Sequence, residues 1–418
     1  MADMTAETPV ILDVSRLVSR IGAGPLTGID RVEAAWLAHI AGRDHLLLCR
    51  VTRGQALLPP QAGAAILRWI SGDMTGLPAR PGWRERLAGR RDAPARAMSA
   101  LRDMAIRVTG RDGRGLAAET RQHLPEGAAY LNVGHSNLDR GLLNNLKDLH
   151  RVVMIHDTIP LDHPEFTRAG QSEKFRARFM TALSLSDHIV AISAATAASI
   201  DLWRRRLAIP RHPPVTVAHI GTTLAAPDDG AIPADLDLSR PFFVTLGTIE
   251  PRKNHALLLD AWEILSRDLP PGRIPRLIIA GRRGWENREV FARLDRLPKD
   301  GPVTERADLS DGAVAALIAR SHALLMPSRA EGFGLPLTEA AGRGVPVLCA
   351  PLPSARELLG DRGQYLSPDR PQDWAGAIAA LAPDPPLRMA PLAIPSWDRH
   401  FRQIVPALVS STPAGASS

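Results

Sequence analysis

From Phe242 onward, short apolar runs alternate with helical patterns in a regular order. FFVTLG precedes HALLLDAWEIL, RLIIAG precedes NREVFARLDRL and GAVAALIARS, HALLMP leads through a Gly-rich turn into TEAAGR, and VPVLCA precedes DWAGAIAAL. Strands that alternate with helices require a parallel sheet covered on both faces, because parallel neighbours can be joined only by long crossovers. The first half repeats the pattern less regularly, with strand-like VILDVS (10–15), HLLLCRVT (45–52), AYLNV (129–133), RVVMI (151–155), HIVAIS (188–193) and VTVAHI (215–220). Between the halves, residues 226–241 are rich in Pro, Asp and Gly and read as an interdomain linker. The sequence therefore predicts an α/β chain of two domains, 1–225 and 226–391. A last helical pattern spans 396–408, and STPAGASS (411–418) reads as a disordered tail within a closing segment 392–418.

The most informative turn lies in SRAEGFGLPLTEAAGRGVP (328–346), where a buried strand gives way to Gly332 and Gly334 and then to a helix with Pro336 at its expected first position. Unpaired amides and the dipole at such a helix start favour an anion, and the glycines let backbone approach it. Glu331 and Glu339 flank the turn, and the lean of helical side chains directs Glu339 back toward it. Carboxylates repel phosphate, so near a phosphate site they fit as acceptors for hydroxyls of a ribose and a sugar.

Glu, seven residues, Glu around GFGLPLT resembles the hallmark of the retaining glycosyltransferases of family 4 (group 1). The resemblance extends over nearly the whole chain. It implies a GT-B fold: two Rossmann-like domains face each other across a cleft, the first binds the acceptor, the second binds the nucleotide-sugar donor, and the C-terminal helix returns to the first. By this resemblance Glu331 reaches the donor sugar, Glu339 holds the ribose, and Gly332, Phe333, Gly334 and Leu335 line the donor site. TIEPRKN (248–254) resembles the family's GTxEPRKN pattern, which gives Lys253, with Arg252, the stabilisation of the leaving diphosphate. Thr248 stands where some relatives carry Arg. Asn254 reads as a cap for the helix that follows.

VVMIHDTIPLDHPE puts His156 and Asp157 at the end of an apolar strand, and the resemblance, mannosyltransferase-like here, implies that His156 meets the donor sugar. The loop with Gly22, Gly24 and Gly28 corresponds to the family's Gly-rich first-domain loop, which by the resemblance lines the cleft near the diphosphate and acceptor, with Asp157 as a further cleft residue. It misses a dinucleotide-binding turn by its spacing and by the lack of an acid about 20 residues on. Asp308 and Leu309 fall where relatives contact the base, and Glu357 is read as a cap or bridge.

With 45% apolar residues in 418, the chain is globular, and no run of 18 apolar residues occurs. The N-terminus lacks a signal-peptide pattern, and Cys49 and Cys349, distant and without metal-ligand spacing, are expected in cores within a reducing cytoplasm. No cofactor and no metal requirement is expected. Between Arg80 and Arg121, eleven Arg stand against five acids, a surplus of six in a net charge of +7. A helix over 95–108, with Met98, Leu101, Ala105 and Val108 on one face and Arg96, Arg102 and Arg107 elsewhere, would be a surface helix or a peripheral contact with anionic lipid. With Trp83 its single aromatic, the segment does not read as binding nucleic acid.

The expected function is retaining transfer of a sugar, mannose by analogy, from a nucleoside diphosphate to a hydroxyl acceptor in surface polysaccharide or glycolipid synthesis. A catalytically silent nucleotide-sugar-binding protein, an epimerase and a phosphorylase remain open. The last would need a cofactor lysine, and only Lys147, Lys174, Lys253 and Lys299 exist.

Overall fold

The computed structural model describes residues 8–298 and 300–409. Its first sheet is built from β1 (Val10–Asp13), β2 (His45–Val51), β3 (Gly54–Leu58), β4 (Arg107–Thr109), β5 (Ala129–Asn132), β6 (His150–Ile155), β7 (His188–Ala191) and β8 (Val215–Val217). The order is β4-β3-β2-β1-β5-β6-β7-β8. Along that order pairing is parallel from β2 to β8 and antiparallel on the β2–β3–β4 edge. Central strands are buried on both faces because helices cover both, as in β1, where all four residues are buried.

The second sheet is wholly parallel and uses β9 (Phe242–Leu246), β10 (Arg276–Ala280), β11 (Val303–Arg306), β12 (Leu324–Met326), β13 (Val347–Cys349) and β14 (Gly363–Tyr365), in the order β11-β10-β9-β12-β13-β14. Its flanking strands β11 and β14 escape the sequence pattern because edge strands need not be apolar: β11 reads VTER and β14 reads GQY.

The basic segment departs from expectation. Its helix is Ala93–Met104, started by the Asp92 side chain accepting from the Ala95 amide, and it ends before Val108. The chain then forms β4, and Val108 sits opposite Ala56, 39% exposed. The open edge of β3 offers backbone partners that a further helical turn would forgo, so strand pairing overrides the helical spacing of Ala105 and Val108.

The closing helix Trp397–Leu408 buries His400, Phe401, Ile404, Ala407 and Leu408. It packs on the first domain: the Trp36 indole nitrogen lies 3.1 Å from His400 Nε2, and His150 Nε2, at the start of β6, lies 2.9 Å from the Ala407 carbonyl. The tail 411–418 lies outside the described residues. Cys49 and Cys349 are both buried and unpaired, as core residues should be.

Candidate active site

At the carboxyl end of β9 a short 3-10 turn, Pro251–Lys253, presents two cations to the loop that follows β12. The Lys253 ammonium donates to Glu331 Oε1 at 2.6 Å, and Arg252 Nη1 pairs with Glu331 Oε2 at 2.8 Å. The Glu331 side chain is only 9% exposed. Burial alone would raise its pKa, but Arg252 and Lys253 outweigh that and hold it at about 2. Arg252 also pairs with buried Glu250 at 2.7 Å and donates to the Ala330 carbonyl at 2.8 Å. Its guanidinium is engaged by Glu250, Glu331 and the Ala330 carbonyl together, whereas Glu331 is the single carboxylate paired with Lys253 among the described residues.

Asn254 takes the left-handed conformation, φ 55°, and does not cap with its side chain. Its amide instead donates to the carbonyls of Pro327 and Pro368, tying this turn to the loops after β12 and β14. The expected cap is thus a strut between loops, which a local pattern does not reveal. The helix after the Gly turn is Leu335–Ala341, so Pro336 is its second residue, one later than expected. Gly334 precedes it at φ 104°, a conformation that only glycine adopts without strain.

The first domain closes directly onto this turn. A Cβ placed on Gly332 would lie 2.3 Å from the His156 carbonyl oxygen and 3.0 Å from Asp157 Cβ. Ser193 Oγ donates to the Gly332 carbonyl at 3.0 Å. Glu357 accepts from the Ala194 and Ala195 amides, at 2.7 and 3.1 Å, and so caps a first-domain helix from the second domain. His156 is buried, with Nε2 2.6 Å from the Val133 carbonyl. A carbonyl can only accept, so Nε2 carries a proton. Burial lowers the imidazole pKa to about 4, leaving it neutral at pH 7 with its lone pair on Nδ1. The Asp157 carboxyl is pushed up by burial, against the opposing pull of Arg252. Its Oδ1 accepts from the Ile159 amide at 3.0 Å.

Gly332→Ala should therefore cost about 1–3 kcal/mol, the usual penalty for overpacking, because the clash is with backbone of the other domain. Gly376→Ala, whose Cβ would meet nothing within 4 Å, is the control. Equal denaturation midpoints for the two variants would mean that the domains do not close here.

Glu339 is reached by a first-domain residue that the sequence reading missed. Arg31 pairs with Glu339 at 3.0 Å and with Asp311 at 3.1 Å. Burial raises the Glu339 pKa and Arg31 opposes the rise. Glu339, Arg31, Gly28, Leu335 and Arg343 border a cavity of about 550 Å³ between the domains. Gly28 is the first residue of the helix Gly28–His39, not part of the loop, and a Cβ there would lie 3.7 Å from Leu335. Gly22 and Gly24 are in the loop with φ 76° and 85°, and Gly24 packs on Arg282. Arg282 joins the domains, donating to the Ala23 carbonyl at 3.3 Å and to Asp308 at 2.6 Å. Leu309 packs against the second-domain core, Phe333 is buried in the first-domain core, and Thr248 is half-buried after β9. The contacts of Arg31 and Arg282 span 308 and 259 residues, so no sequence spacing points to them.

Two Rossmann-like α/β units, a cleft between them with charged groups at the carboxyl ends of strands, and a last helix laid back on the first sheet constitute the GT-B fold of glycosyltransferases. Residues 232–391 match the family described as glycosyl transferases group 1. The serotype-specific mannosyltransferase WbdA of Escherichia coli is 32% identical over 237 residues, 54% of this chain and 29% of that protein. The O-antigen chain mannosyltransferase B of Escherichia coli is 37% identical over 124 residues, 30% of this chain and 32% of that protein. These matches thus cover under a third of each curated relative's length. Among solved structures, Anabaena Alr3699/HepE in complex with UDP and glucose aligns with a TM-score of 0.59 at 15% identity, over 96% of this chain and 97% of that one.

Proposed function

We propose that the chain is a retaining glycosyltransferase of family 4 that moves a sugar, mannose by analogy, from a nucleoside-diphosphate donor to a hydroxyl acceptor in bacterial surface polysaccharide or glycolipid synthesis. The observation that carries this reading is the Lys253–Glu331–Arg252 cluster, in the segment that matches group 1 glycosyl transferases, closed against His156 and Asp157 of the other domain. The similarity to two mannosyltransferases, and to a protein that holds UDP and glucose, supports the same class of donor and product.

In this reading Lys253 stabilises charge on the departing diphosphate, and Arg252 fixes Glu331 beside it. The bond from the anomeric carbon to the phosphate oxygen breaks, and the acceptor oxygen bonds to that carbon on the same face. The acceptor's proton passes to the departing phosphate. Glu331 accepts hydrogen bonds from sugar hydroxyls, and neutral His156 accepts one at Nδ1. Lys147 and Lys174 are exposed, and among the described lysines Lys253 is the one paired with Glu331 at this site. No helix among the described residues is long and apolar enough to cross a membrane. A cytoplasmic enzyme, peripheral on the inner face through its basic 80–121 segment, belongs to the same proposal.

Incubation with a panel of nucleotide sugars, scored for free nucleotide with and without acceptor, tests the reading, and the anomeric configuration of the product tests retention. Release of no nucleotide from any donor in the panel would leave a silent binding protein. Glu339→Gln should weaken binding of the plain nucleoside diphosphate about tenfold, an effect of the size of one hydrogen bond to a charged group, whereas Glu331→Gln should spare it. Calorimetry separates the two, and equal losses would refute the division of roles.

A further inference from the structure

A second cavity, about 660 Å³, lies in the first domain at the carboxyl ends of its central strands and has no role in the reading above. Its border includes Arg50, Arg53, Arg90, Arg111 and Arg178. Among the described residues no carboxylate pairs with Arg50, Arg53, Arg111 or Arg178, although most other arginines of the chain have acid or carbonyl partners. The one acid on its border, Asp139, turns its carboxylate to the Gly141 and Leu142 amides, at 2.8 and 3.1 Å.

The floor is built and rigid. Buried Asp13 accepts from the Tyr130 hydroxyl at 3.0 Å and from the Asn137 amide at 2.7 Å. Asn137 exchanges hydrogen bonds with Gln55 at 3.0 and 3.1 Å, and Gln55 donates to the Arg111 carbonyl at 3.1 Å. Arg53 holds a left-handed backbone, φ 64°, in the two-residue turn between β2 and β3, a position where glycine would be unstrained. Four like charges without a carboxylate partner around one concavity repel each other, and the polar network beneath ties β3 to the Asn137 turn and to the Arg111 carbonyl. That arrangement suits an anion.

We propose that this basic bowl is a subsite for a phosphate or diphosphate group carried by the acceptor; the assignment to an acceptor rests on the transferase reading above. The His135 ring centroid is 6.4 Å from that of His156, and burial first, then His156, then Arg178 lower the His135 imidazole pKa to about 3. Arg178 itself holds its proton less firmly than a free arginine, because of lost hydration first and the charge of Arg50 second. An anion held by Arg50 and Arg178 would offset the repulsion between their charges, while the rest of the acceptor extends toward the His156 end of the cleft.

Inorganic pyrophosphate is the probe, titrated calorimetrically at low salt into Lys253→Ala, which lacks the donor cation, and into the same background with Arg50→Ala and Arg178→Ala. One site should persist in the first protein, weaken as salt rises, and lose at least tenfold in affinity in the second. Among the described residues neither arginine has a carboxylate partner to lose, so thermal stability should hold or rise. Arg53→Gly, which also relaxes the turn, should weaken pyrophosphate while raising the melting temperature. No site in Lys253→Ala, or equal affinity in both backgrounds, overturns the proposal, whereas failure to turn over any nucleotide sugar overturns the transferase reading alone. Phosphatidylglycerol vesicles separate the sources: pelleting of wild type that pyrophosphate reverses assigns the group to a lipid headgroup. Retention in the supernatant with pyrophosphate still bound assigns it to a soluble phosphate ester.

Discussion

Lys253→Ala is expected to lower kcat about 10²–10³-fold, the usual loss when one charged donor is removed from a preorganised site. Lys253 carries this expectation rather than Arg252 because of how their charges are engaged. Arg252 serves Glu250, Glu331 and the Ala330 carbonyl at once, while Lys253 has Glu331 as its one carboxylate partner among the described residues and an 11% exposed side chain. The ammonium can therefore turn to a diphosphate without abandoning a buried acid, since Arg252 still neutralises Glu331. Folding should survive for the same reason. Arg252→Ala should instead act on stability, through Glu250 and Glu331 together. Nucleotide release from donor, followed with far-UV dichroism, decides: full kcat in a folded Lys253→Ala protein removes the residue from the mechanism, and a larger kcat loss in a folded Arg252→Ala protein reverses the ranking.

The largest stability effect is expected at Glu331. Glu331→Ala leaves Arg252 and Lys253 facing each other with half of their compensation gone, and breaking such a pair from one side costs about 3–5 kcal/mol. Glu331→Gln keeps the shape and one acceptor and should lose less, while still damaging turnover. The pH dependence has a definite sign. Glu331 is held at about 2 against an ordinary 4.5, so the native protein binds fewer protons than the unfolded chain between those values. Its contribution is present in full above about pH 4.5 and is lost as pH falls toward 2. A shift of that size corresponds to about 3 kcal/mol. Urea denaturation of wild type and Glu331→Gln across this window should show a smaller acid slope in the variant. Parallel slopes would mean that the ion pairs do not hold in solution.

Much of this site is legible in the amino-acid order. The strand, glycine turn and helix around Glu331 are local: apolar runs set β9 and β12, and Gly334 marks a left-handed position that only glycine occupies cheaply. Side chains at the carboxyl ends of parallel strands face a common crevice, so Lys253, Glu331 and His156 can be named from pattern and family resemblance. The polar edge strands β4, β11 and β14 are not legible, because an edge is defined by what lies beside it and not by its own hydrophobicity. The helix expected over 95–108 stops short for that reason.

The sequence by itself determined where the strands around Lys253, Glu331 and His156 end and which side chains follow them, because short-range periodicity and turn chemistry decide both. Only the tertiary structure decided what each charge would face. Arg252 is bound to protein groups, Glu339 meets Arg31 from the other domain, Gly332 is bare because the His156 carbonyl occupies its side-chain space, and Arg50 and Arg178 share one unpaired bowl. These outcomes depend on Coulomb energies and steric exclusion over a few ångströms between residues tens to hundreds of positions apart. Local backbone preference carries no information about such distances.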